Sequence, residues 1–140
     1  TTPEQAPVTP EPAVTADPCA ELQDWLLAGT DRILTAQGLA DEALNASDAA
    51  VLADISAQFA QIADDEALMS VPADGEAAQK ALTATLRALS SATADAATAV
   101  ESGDDATASL DLVSRALDRL AAIQGQMAIV TGNCVSANAG

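Results

Sequence analysis

Histidine and tyrosine are absent from the 140 residues, and Trp25 and Phe59 are the only large aromatic rings. Without histidine the chain has no Ser–His or Cys–His nucleophile pair, no Glu-x-x-His ligands for a bundle di-iron site and no CxxCH haem attachment. Two cysteines alone are too few for a zinc site. Positive charge is also scarce. Arg32, Lys80, Arg87, Arg115 and Arg119 stand against 21 acidic residues, for a net charge of −16. Such a surface repels phosphate, which argues against DNA, RNA and anionic membranes as partners. Its plainest effect is solubility, and attraction to a basic partner surface is the second reading. No apolar run approaches the roughly 20 residues of a membrane span.

Other motifs are missing as well. There is no GxxxxGK[ST] or GxGxxG phosphate loop, and none of the acidic clusters (Asp41-Glu42, Asp64-Asp65-Glu66, Asp104-Asp105) has the spacing of an EF-hand loop. Each cluster falls near an expected helix end, where Asp ordinarily caps or is solvated. A two-carboxylate glycosidase would need a cleft and sugar-stacking aromatics. Met69 and Met127 are read as core gap-fillers rather than haem ligands. Asn45-Ala46-Ser47 has the form of an N-glycosylation sequon, a short match that arises readily by chance. No catalytic residue, cofactor or metal ligand is therefore assigned, and the chain is not expected to be an enzyme.

What is present is alanine, the best helix former, with Leu, Ile and Val at helical spacing. Asp17-Pro18 reads as an N-cap followed by proline at the first helical position. A first helix is expected from about Pro18 to Gln37, with an apolar face of Leu22, Trp25, Leu26, Ile33 and Leu34 and Gly38 as its left-handed terminator. Gly29-Thr30 interrupts that face as a weak point or a close-contact position. A second helix should begin near Ser47-Asp48 and carry Leu52, Ile55, Phe59 and Ile62. The run Asp64-Asp65-Glu66 should fray or bend its end, because the helix dipole disfavours negative charge there. Leu68, Met69 and Val71 should then pack as a loop before Pro72.

A third helix is expected from Asp74–Glu76 to about Glu101, with Leu82, Leu86, Leu89, Ala92 or Thr93, Ala96 and Val100 on its seam, which thins toward Ala after Leu89. Ser102-Gly103-Asp104-Asp105 reads as a stop and a restart. The fourth helix should carry Leu110, Val113, Leu117, Leu120 and Met127, flanked by Leu112, Ile123 and Val130, and end at Gly132. Gly125 inside it marks either close helix approach, the first reading, or a local kink. Glu76–Lys80 and Asp111–Arg115 have the i, i+4 order of surface ion pairs. The core anchors are taken to be Trp25, Phe59, Leu86 and Leu117.

Four amphipathic helices with short connections predict an all-α, up-down-up-down four-helix bundle. Three reversals bring the end of helix 4 to the start of helix 1, where Cys134 and Cys19 stand. A disulfide joining them would close nearly the whole domain, be worth about 4–5 kcal/mol on the chain-entropy model, and persist only in an oxidising compartment. Residues 1–17, with Pro3, Pro7, Pro10 and Pro12, read as an extended stalk ahead of the 18–134 bundle, with 135–140 a short tail. The opening Thr1-Thr2-Pro3 without Met suggests a processed or trimmed start, leaving room for a signal peptide or lipid anchor upstream.

Asp17-Pro18-Cys19 is similar to the start of small secreted helical haem carriers of actinobacteria. The Tyr and His ligands of that family are missing here, so the three residues assign no membership. The expected function is a non-catalytic extracytoplasmic module, tethered by its stalk, that works through contact with another extracytoplasmic protein or as a structural accessory. The alternative is a carrier or sensor of an apolar small molecule held between the helices, where the Ala-rich half of helix 3 would leave room.

Overall fold

The computed structural model describes residues 17–138. The expected stalk, apart from Asp17, lies outside them. Four α-helices follow in order: α1 Ala20–Asn45, α2 Ala49–Ala67, α3 Glu76–Glu101 and α4 Thr107–Ala137. A 3-10 turn, Ala73–Gly75, leads into α3. The helices pack antiparallel around one core, and α4 returns to lie against α1. Trp25, Phe59 and Leu86 are buried in that core, whereas Leu117 is half-buried and packs against its edge.

Two expected helix ends lie further along the chain. Gly38 does not stop α1, which continues seven residues to Asn45. Buried Ala36, Ala40 and Ala43 prolong the core face past it, and that packing outweighs the roughly 1 kcal/mol a mid-helix glycine costs. Gly132 likewise does not end α4, which runs through Ala137 into the expected tail. Thr131 is buried beside it, and its hydroxyl donates to the Met127 carbonyl at 2.9 Å. Among the described residues only Gly103 has the left-handed conformation, with φ of 76°, as its place between α3 and α4 requires.

Further expectations are corrected. The acidic run does not fray α2: Asp64 pairs with Arg87, Gln61 donates to Asp65, and Glu66 turns inward. Leu68 does not pack but stands 85% exposed, while Met69 and Val71 are half-buried. Leu34 and Leu112 face outward. Gly125 is exposed with open space at its Cβ position, so close packing does not explain it. Gly29 is the close contact instead, since a Cβ there would fall 2.2 Å from Cε of Met127.

The Ala-rich half of α3 is met by a close approach of α2. Ser56 Oγ donates to the Ser90 carbonyl at 2.7 Å and Ser90 Oγ to the Ser56 carbonyl at 2.9 Å. Ala92, Thr93 and Ala96 are buried in the same stretch. Small residues let two helices come near enough for such reciprocal side-chain-to-backbone bonds. α1 and α2 touch least of the four neighbouring pairs.

Candidate functional site

The end of the bundle where the chain enters α1 and leaves α4 gathers most of the chemistry in the molecule. Cys19 is the N-cap residue of α1, and its backbone amide donates to Asp17 Oδ1 at 2.9 Å. Cys134 lies in the final turns of α4. The two form a disulfide with a Cα–Cα distance of 5.9 Å, across 115 residues of sequence. The cysteine pairing and its position are as the helix count demands.

Further into the bundle from the disulfide, a polar chain crosses the interior. Trp25 Nε1 donates to Gln79 Oε1 at 2.8 Å. Gln79 Nε2 donates to the Glu66 backbone carbonyl at 3.1 Å and to the Glu66 carboxylate through Oε2. Arg32 Nε stands 2.9 Å from Glu66 Oε1. That contact is an ion pair without hydrogen-bond alignment, so Oε1 has a charge partner but no donor among the described residues. Glu66 is 1% exposed whereas the Arg32 side chain is 28% exposed. Three helices are thereby linked: α1 through Trp25 and Arg32, α2 through Glu66, and α3 through Gln79. Gly75 completes the fit, because a Cβ there would come within 2.9 Å of the indole ring.

The sequence reading missed this network, although a signal was present. Glu66 continues the α2 seam of Leu52, Ile55, Phe59 and Ala63 by the next three-residue step. Gln79 precedes Leu82 and Leu86 on the α3 seam in the same way. A polar residue in register with a core stripe must be paired inside or break the pattern. Treating Glu66 as part of an acidic run hid that register.

Beside the network lies an open groove of about 460 Å³ between the end of α2 and the start of α3. Glu66 and Gln79 form part of its wall, Ala67, Met69, Val71 and Ala84 give it apolar surface, and Glu76, Lys80 and Arg87 also line it. A smaller groove of about 370 Å³ on the other side of the 68–72 loop shares Met69 and Val71 and is bordered by Trp25 and Pro72. Among the described residues no three carboxylates or cysteines come together as a metal site. The Asp111–Arg115 pair forms at 3.0 Å, but Glu76 and Lys80 do not pair. Compared with protein-family models, curated proteins and solved structures, the chain matches none.

Proposed function

We propose that the protein is a non-catalytic, extracytoplasmic helical module that acts by contact with another protein. The observation that carries the reading is the Cys19–Cys134 disulfide, which clamps the first and last helices of the bundle. A staple of this kind suits an oxidising compartment and a core built mainly of small and aliphatic side chains.

Apolar side chains left outside the core supply contact surface. Leu27 and Leu34, seven residues apart on α1, are 70% and 56% exposed and share one stripe of that helix. A photo-crosslinking residue at Leu27 or Leu34, in the full-length protein in its native cells, tests this surface. The expected result is a discrete protein adduct from these positions and none from exposed Ala94 on α3. Equal, diffuse labelling from all three would contradict it.

The groove beside Glu66 favours a second reading, a carrier or sensor of an apolar small molecule. Its volume falls in the range of ligand sites, roughly 300–1,000 Å³, and much of its surface is aliphatic.

A further inference from the structure

We propose that the smaller groove, between the start of α1 and the 68–72 loop, binds a primary ammonium with an apolar body, its head at Glu21 and Asp24 and its body against Met69, Val71 and Pro72. Neither reading above is needed for it.

Charge in this groove has one sign. Glu21 and Asp24 line it, and none of the five basic residues does. Lys80 and Arg87 line the groove on the other side of the loop. Arg32 follows Asp24 by eight residues, about 12 Å along the helix, and is engaged with Glu66. Neither Glu21 nor Asp24 has a cation within ion-pair distance among the described residues. The helix dipole favours Glu21, in the first turn of α1, and falls off before Asp24.

Spacing sets a single head position. Glu21 and Asp24 are three residues apart, so they are neighbours on one helix face, with Cβ atoms roughly 5–6 Å apart. An ammonium between them donates to both carboxylates and keeps its third N–H for water. Trp25 and Ala28 continue that face by a turn, and Met69, Val71 and Pro72 supply the rest of the apolar wall. The Trp25 donor is committed to Gln79, so the ring offers hydrocarbon to the groove. The volume, about 370 Å³, is within the roughly 300–1,000 Å³ of ligand sites. The acidic surface attracts any cation, but screening limits that pull to about 8 Å at physiological salt, so the field alone singles out no position. The apolar wall does, because there the hydrocarbon part of the cation also leaves water.

Separate titrations of the ¹⁵N-labelled protein with hexylammonium, hexanol and methylammonium, at neutral pH and physiological salt, test this site by amide shifts. Saturable shifts confined to residues 21–28 and 69–72 are expected for hexylammonium, with hexanol and methylammonium each binding at least about tenfold more weakly. The Glu21→Gln/Asp24→Asn variant should lose about tenfold in hexylammonium affinity and bind hexanol as before. Asp95→Asn/Glu101→Gln removes the same charge at the far end of α3 and should leave hexylammonium affinity unchanged. Hexanol binding as tightly as hexylammonium overturns the ammonium head. Methylammonium binding as tightly, or equal loss in both variants, overturns the site in favour of plain counter-ion attraction. Shifts centred on residues 80–87, or no saturable shift, overturn it as well.

Discussion

Removing Arg32 and removing Glu66 are unequal changes, because only one of the two charges is enclosed. Glu66 is 1% exposed, so Arg32→Met leaves a carboxylate inside the bundle without its cation. The expected loss is about 3 kcal/mol, near the lower end of what breaking a buried pair costs, since Gln79 still donates to the other oxygen. Glu66→Leu frees an arginine that already reaches solvent and should cost about 1–2 kcal/mol, mostly through the orphaned Gln79 amide. In the double variant no buried charge remains, so its loss should be smaller than the sum of the single losses by about 1–2 kcal/mol. Urea unfolding of the four proteins measures that difference, and strict additivity would show that the pair is energetically idle. The Gln79–Trp25 bond gives the same experiment a second signal, because the emission of the single tryptophan reports whether its environment is kept.

Glycine substitutions separate the helices from their contacts. Gly38 and Gly132 sit within α1 and α4, exposed, with nothing near a Cβ position. Gly38→Ala and Gly132→Ala should each stabilise by about 0.5–1 kcal/mol through helix propensity and loss of unfolded-state entropy. Gly75→Ala meets the ring of Trp25, which its bond to Gln79 holds in place, and should destabilise by about 1–3 kcal/mol. Thermal melts rank the three. A Gly75→Ala protein as stable as Gly38→Ala would mean that the indole is not held as described.

These same glycines explain what the sequence made legible. Helix number, seams and the α3–α4 turn follow from periodicity and from Gly103, whose conformation needs no side chain. The ends at Gly38 and Gly132 were misjudged because a glycine signals a stop only where the apolar face also stops. At both positions that face continues, through Ala40 and Ala43 in one case and toward Cys134 in the other.

Asp105 gives α4 a pH-dependent start. It accepts from the Thr107 hydroxyl at 2.5 Å and the Thr107 amide at 2.9 Å, and these bonds, the hydroxyl first, hold its carboxyl below the usual value. A lowered folded value means that these bonds contribute fully above the unfolded carboxyl value, about 4, and are lost as pH falls through the folded one. The protection of the Thr107 amide, its intrinsic exchange rate at each pH divided by the observed one, should therefore fall on acidification in the native protein. In Asp105→Ala that protection should be low throughout. Protection that does not change with pH in the native protein would contradict these bonds.

At the scale of the whole molecule, the disulfide and the polar chain act at the same end. Cys19–Cys134 ties α1 to α4, and Arg32–Glu66 and Trp25–Gln79 tie α1 to α2 and α3. The staple was legible because it depends only on helix count and cysteine position. The network was not, because its meaning depends on which neighbour each polar residue meets, and that is a property of packing between helices. Cys19→Ser/Cys134→Ser should lose about 4–5 kcal/mol on the chain-entropy model, without changing which residues form the core.

The most direct test is alkylation of the protein taken from its native cells, under quenching, followed by mass spectrometry with and without reductant. The account predicts no modified cysteine before reduction and two modified cysteines, Cys19 and Cys134, after it. Two alkylated thiols before reduction would contradict both the staple and the oxidising compartment.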